Sequence, residues 1–297
     1  MRPPFPLVVG CPRSGTTLVR SFLDSHPDMA IPGESDVTVP LLLAARGPDR
    51  LLPRRRAAEI LADSHRTAAW GIDLAAVLAS VPETSGRGGP EVSAAALVRA
   101  LHDAYADAHG RPRGGDKTPF HARRVDLLTA PPPESVVVHV LRDPRAVAAA
   151  MPSVSWATDD PHEAGRAWTR HVGSARAISA QVGPDRYVEV RYEELVADPW
   201  PILERLCAVL HLEPAPEMLD RGASAARARA QTDHSGDHAN LDRPLTRTRD
   251  WRVELSALDR RRVEAVAGDL MVSCGYLPEH DPLSAGQSGV RAVDSLR

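Results

Sequence analysis

Cysteine is scarce in this 297-residue chain: Cys11, Cys207 and Cys274 are odd in number, widely spaced and form no CxxC pair. That pattern argues against a disulfide framework and a thiolate metal site, and it fits a reducing compartment. Long apolar runs are also missing, since none approaches the roughly 20 residues of a membrane helix. The opening MRPPFPLVVG has one charged side chain, three prolines and a very short apolar stretch, unlike a secretory signal. The expected location is therefore cytoplasmic, with no membrane partner. Charge of one sign is lacking too. With 36 Lys and Arg against 39 Asp and Glu, the formal charge of −3 gives no overall attraction to nucleic acid, so any anion site must be local. Aromatic residues make up only 4%, and the abundance of Ala, Arg and Pro reads as coding bias, from which no function follows.

Apolar content of 43% and a length near 300 residues suit one sizeable domain over 1–280, followed by a loose tail at 281–297. Short apolar runs alternate with helical patterns along the chain. Leu7 to Gly10 reads as a strand, and TLVRSFLDSH places Leu18, Phe22 and Leu23 at helical spacing. SVVVHVL at 135–141 is continuously apolar, as a buried parallel strand is. Helix 161–181, strand 187–191, helix 199–210 and a last helix over about 256–272 complete the alternation. The expected class is α/β: a P-loop-like parallel sheet flanked by helices, with residues 44–110 as a helical insertion for acceptor binding. Within that insertion the Gly, Pro and Ser-rich stretch 81–90 reads as a loop. RPRGGDKTPF reads as a loop entering a helix that runs to about residue 128, and 222–250 as polar and largely irregular.

One absence carries the chemistry. Gly10-Cys-Pro-Arg-Ser-Gly15-Thr16-Thr17 has the frame of a Walker A loop, yet Thr16 occupies the position of its lysine. In nucleotide triphosphatases that lysine and a magnesium ion neutralise the transferring phosphoryl group. Here Arg13 supplies a cation from inside the loop, and the backbone N–H groups of Ser14, Gly15, Thr16 and Thr17 at a helix N-terminus cradle an anion. Such a loop suits a nucleotide end with less charge, and a sulfate ester has that property. Cys11 beside it reads as a small buried filler. A turn sealed from solvent would refute the reading.

LVVGCPRSGTTLVRSFLDSHPDMAIPGES, together with GDKTPF, VVHVLRDPRAVAAAM and VRYEELVADP, resembles sulfotransferases dependent on 3′-phosphoadenylyl sulfate (PAPS), in particular the tyrosylprotein branch and its bacterial relatives. The resemblance covers about half the chain and leaves 44–110 outside. It implies PAPS as co-substrate and no metal. By position, Glu34 resembles the general base and Lys117 the lysine that stabilises the sulfonate and the leaving oxygen, with Arg13 beside them. Arg142 resembles the arginine for the 3′-phosphate, and Tyr192 a tyrosine near the nucleotide. Where relatives carry a serine for the same phosphate, this chain has Ala150; Ser153 or Ser155 on the next turn, or arginines of 243–249, stand as substitutes. Arg247 and Arg249 fall where relatives place a loop over the nucleotide.

Bland readings accompany these: Glu34 reads also as a solvated loop carboxylate and Lys117 as a solvated loop lysine. Asp143 and Pro144 read equally as a helix cap and first turn, Tyr192 as strand-end packing, and the arginines of 243–249 as a solvated face. His234 and His238, with Asp233 and Asp237, lack the fixed spacing of a metal site. The competing function is a P-loop kinase or other nucleotide-binding protein acting on a small molecule, which would have a lysine at 16 and a magnesium carboxylate after a strand. A protein that kept the loop without activity is the third reading, against which Glu34 and Lys117 both speak. The expected acceptor is the hydroxyl of a small molecule or glycan.

Overall fold

Phe5–Gly10 is apolar at nearly every position because both its faces are covered. In the computed structural model this strand, β1, is buried throughout. The structure describes residues 3–86, 89–124, 126–127, 134–154, 156–230 and 250–279. Arg247, Arg249, Ser155, the His234 and His238 group and the tail 281–297 lie outside those residues. Contacts divide the chain into two units, the first drawn from residues 1–142 and 171–248, the second from 143–170 and 249–297.

The first unit holds the sheet. After β1 come the helix Thr16–Ser25, β2 (Met29–Ala30) and the helix Thr38–Ala44; then β3 (Leu51–Pro53), β4 (Glu83–Gly86) and β5 (Gly89–Ser93), which leads into the helix Ala94–Ala108. β6 (Arg113–Gly114) and β7 (Asp116–Lys117) precede β8 (Ser135–Leu141) and β9 (Tyr187–Arg191). The central sheet has the order β7-β1-β8-β9 and is parallel at each pairing. On one face Phe5, Leu7, Val9 and Val137 meet Leu97, Leu101 and Tyr105 of the helix Ala94–Ala108. On the other, Val8, Val138, Val140 and Val190 meet Leu18 and Phe22 of the first helix and Leu203 and Leu206 of the helix Pro199–Leu210. Burial on both faces explains the unbroken apolar runs of β1 and β8. The α/β class with a parallel sheet and flanking helices is as the sequence indicates.

Three expectations are corrected. The insertion is not purely helical: β3, β5 and β4 pair as an antiparallel sheet, and 83–86 with 89–93 occupy most of the stretch read as a loop. Only Leu52 and Val92 of this sheet are fully buried, too few apolar residues to leave a strand pattern in the sequence. Residues 113–117, read as part of a loop, form two short parallel strands, and a 3₁₀ helix, Pro119–Arg124, follows them; residue 128, the expected helix end, lies outside the described residues. Pro119, which has no N–H to donate, starts that helix. And 222–230, read as irregular, is a helix, Gly222–Ala230.

In the second unit, Asp143 caps the helix Pro144–Ala150 by accepting from Arg145 N, with Pro144 in the first turn. The Arg145 guanidinium bonds both oxygens of Asp143 and one of Glu264, and lies 3.9 Å from the centre of the Trp251 ring. The charge is thus buried with its counterions.

Candidate active site

All strands of the central sheet point the same way, so their C-terminal ends share one edge, where ligands of open α/β sheets bind. Register fixes who meets there. Val8 pairs with Lys117, Gly10 with Val140, and Leu141 with Arg191. The turn 11–15 follows β1, Lys117 ends β7, Arg142 follows β8 and Tyr192 follows β9. Gly10 has to be glycine, since a Cβ there would come 2.6 Å from the Val140 carbonyl oxygen.

The turn closes with Ser14 N donating to Cys11 O at 3.0 Å. One of the four expected cradle donors is therefore spent internally, which leaves three: Gly15 at the cap, and Thr16 and Thr17 in the first helical turn, where the N–H groups have no intrahelical acceptor. Gly15 caps this ten-residue helix at φ 98° with no side-chain bond, and no acidic residue occupies the first turn. Arg13 takes left-handed backbone at φ 69°, a strain of roughly 1–2 kcal/mol for a residue with a Cβ. Arg13, Gly15 and Thr17 keep partial exposure, so the turn is not sealed; Ser14 and Thr16 are buried. Ser14 Oγ is buried without a hydrogen-bond partner among the described residues. A buried hydroxyl in that condition costs about 1–3 kcal/mol unless a ligand takes it up.

Arg142 and Tyr192 back the turn. Arg142 Nη1 donates to Arg13 O at 2.8 Å, and its guanidinium lies 4.4 Å from the centre of the Tyr192 ring. The ring covers Gly15 so closely that a Cβ would fall 2.3 Å from Tyr192 Cδ2. Ser153 belongs to the second unit, where its hydroxyl donates to Ala150 O at 2.6 Å.

Glu34 and Lys117 meet: Lys117 Nζ donates to Glu34 Oε1 at 3.0 Å. The lysine side chain is 2% exposed and the glutamate 27%. Burial pulls the Lys117 ammonium below its ordinary value, Glu34 opposes that pull, and Arg20 adds to it. Flanking residues hold the pair together. Ser35 N donates to Thr118 Oγ1 at 3.0 Å, and Thr38 Oγ1 donates to Asp116 Oδ2 at 3.2 Å. With the Thr38 proton committed to the carboxylate, Ser35 Oγ donates to Thr38 Oγ1 at 2.8 Å. Burial would raise the Asp116 carboxyl, but His121 and His102 hold it well below the usual carboxylate range.

Three nearby residues were missed from the sequence. Arg20, 1% exposed on the first helix, donates from Nε to Ile31 O at 2.8 Å and senses the Glu34 charge. A charged residue among Leu18, Val19 and Phe22 was the available signal. Arg66 pairs with Glu34 and Asp36 holds the segment around Arg66; no sequence pattern links positions so far apart.

A parallel α/β sheet whose C-terminal edge carries a glycine-capped helix N-terminus and an Arg-bearing turn is an architecture suited to an anionic ligand. Comparison gives the class more closely. A model of the sulfotransferase family matches residues 4–217, and the chain belongs to that family. Nodulation protein NoeE of Sinorhizobium fredii is 29% identical over 301 residues, covering 92% of this chain and 67% of that protein. Protein-tyrosine sulfotransferase 1 of Danio rerio is 25% identical over 312 residues, covering 99% and 78%. The solved sulfotransferase domain from the curacin biosynthetic pathway shares the fold, with a TM-score of 0.62 at 18% identity and coverage of 93% and 99%. The sulfotransferase domain from the Synechococcus PCC 7002 olefin synthase has a TM-score of 0.54 at 22% identity, with 90% and 95% covered. Sulfuryl transfer is thus the general activity. Among the described residues no helix is long and apolar enough to cross a membrane, and no group of three or more His, Cys, Asp and Glu is placed to hold a metal ion.

Proposed function

We propose that this chain transfers the sulfuryl group of PAPS to a small-molecule or glycan hydroxyl by in-line displacement. The observation that carries the reading is the 3.0 Å pair of Glu34 and Lys117 on the sheet edge shared with the Arg13 turn. The turn fits a phosphosulfate: Arg13 supplies charge, Thr16 and Thr17 supply N–H and hydroxyl donors, and Ser14 Oγ gains the partner it lacks. Arg142 and Tyr192 hold the turn from behind, and Arg142 takes the 3′-phosphate, which distinguishes PAPS from ATP. Ser153, Arg247 and Arg249 remain proposed contacts to the same group.

In the transfer, Glu34 accepts the proton of the acceptor hydroxyl as its oxygen attacks sulfur. The S–O bond to the phosphate breaks, and Lys117 and Arg13 offset the charge that gathers on the sulfonate and the departing oxygen. Lys117 turns from Glu34 to the donor for this purpose. That exchange removes one of the cations on the base and raises its basicity when the donor is in place.

The kinase reading is weaker. Its magnesium would need a carboxylate after a strand, and Asp116 and Asp143 are engaged with Thr38, His121 and Arg145. Thermal unfolding discriminates the two. 3′-Phosphoadenosine 5′-phosphate without metal should raise Tm strongly, by about 2.7 kcal/mol of stabilisation at a hundred times Kd, and ATP with magnesium only weakly. The reverse order would sink the proposal. A screen of small-molecule, glycan and peptide-tyrosine hydroxyls with labelled PAPS, read by mass, then identifies the acceptor.

A further inference from the structure

Glu34 faces a second cation, and it comes from the segment the family motifs do not cover. Arg66 Nη1 lies 2.9 Å from Glu34 Oε2, the oxygen opposite the one Lys117 holds. Arg66 sits between the helix Arg54–Ala62 and the short turn Thr67–Trp70, inside the region expected to bind the acceptor. A surface ion pair on a flexible arginine is usually worth little. This one differs in what holds its backbone.

Asp36, two residues after Glu34, accepts from the N–H groups of His65 at 2.8 Å and Arg66 at 2.9 Å through Oδ2. Through Oδ1 it accepts from Thr67 N at 3.0 Å and Thr67 Oγ1 at 2.8 Å. Burial works against the carboxylate, but these four bonds hold Asp36 down at about 2, so it stays charged across the working range. Glu34 and Asp36 therefore grip one segment at two points, through the guanidinium and through the backbone beneath it. Among the described residues, the charged groups facing Glu34 include Lys117 from β7, Arg66 from the insertion and Arg20 from the first helix.

We propose that Arg66, anchored by Asp36, is a positioning residue that fixes the rotation of the Glu34 carboxylate and keeps it ionised once Lys117 has turned to the donor. This rests on the reading of Glu34 as the base. Without Arg66, the carboxylate would lose the cation 2.9 Å from Oε2, become protonated at higher pH and be held less firmly in rotation.

Carbon-13 NMR titration of the glutamate carboxyls in the full chain tests this without an acceptor, the Glu34 resonance being assigned by its loss in Glu34→Gln. In Arg66→Gln, which keeps part of the stem and drops the charge, the Glu34 midpoint should rise by about one pH unit. Arg66→Lys should return it toward the parent value, and Asp36→Asn should raise it by less than Arg66→Gln. With the acceptor from the labelled-donor screen, the acid limb of kcat should move with the midpoint while the donor KM stays within about twofold. If Arg66→Gln fails to fold, Arg66→Met gives a second neutral variant with the same expectation. An unchanged midpoint in a folded neutral variant overturns the proposal. Failure of the base reading shows separately, as unimpaired transfer by Glu34→Gln.

Discussion

At the scale of single residues, the proposed chemistry rests on cations gathered at the C-terminal edge of the sheet. Lys117 is almost fully buried yet has one carboxylate oxygen at 3.0 Å, and Arg142 combines a carbonyl, an aromatic face and, under the proposed function, a phosphate. Arg142→Ala should therefore do two things: remove the 3′-phosphate contact and loosen the Arg13 carbonyl. The expected result is a donor KM raised roughly tenfold or more with kcat reduced less, measured with PAPS varied at saturating acceptor. An unchanged donor KM would take Arg142 out of donor binding. Glu34, Lys117, Arg13 and Arg142 were legible because each lies in a short motif with local punctuation. Arg66 and Asp36 were not, because what they do depends on a contact some thirty residues away in the chain.

At the scale of elements, the strand-turn-helix junction at 5–25 does most of the positioning. Its glycines act through geometry: Gly10 admits the Val140 carbonyl, and Gly15 combines a φ of 98° with the Tyr192 ring. Gly15→Ala should strain the backbone by roughly 1–2 kcal/mol and push the ring aside. Binding of 3′-phosphoadenosine 5′-phosphate should weaken about tenfold or more by calorimetry, and an unaltered Kd would show that the turn does not grip the nucleotide. Elements with strong periodicity, such as β8 and the helices Pro161–Val182 and Pro199–Leu210, could be read from the sequence to within a residue or two. β4, β5, β6 and β7 could not. They are short, glycine-rich or polar, and they are strands only because a neighbour supplies the hydrogen bonds.

At the scale of the molecule, one ion-paired network ties the far strand of the sheet to a helix. Arg176, on the helix Pro161–Val182, bonds both oxygens of Glu189 on β9 at 2.8 Å, and His139 Nδ1 lies 3.5 Å from Glu189 Oε2. Burial would raise the Glu189 carboxyl, but the bonds from His139 and Arg176 outweigh it and lower the group from 4.5 to about 2. Because the unfolded chain binds this proton more readily, the contribution is complete above about pH 4.5 and is lost as pH falls towards 2. Glu189→Gln should thus lower Tm at pH 7, and the gap from the parent should narrow by pH 3. A constant gap over that range would show that the carboxylate charge does not support the fold.

The sequence alone determined the parallel α/β class, the glycine-bounded turn after β1 and the motif residues at the ends of β1, β7 and β8, because continuous apolar runs and glycine-bounded turns are properties of neighbouring residues. Tertiary structure alone decided that Lys117 and Glu34 meet, that Tyr192 packs over Gly15 and that Arg66 reaches Glu34, because those contacts depend on strand register and on where the insertion comes to rest. Local periodicity encodes which face of an element is apolar, but carries no information on which distant side chain that face will meet.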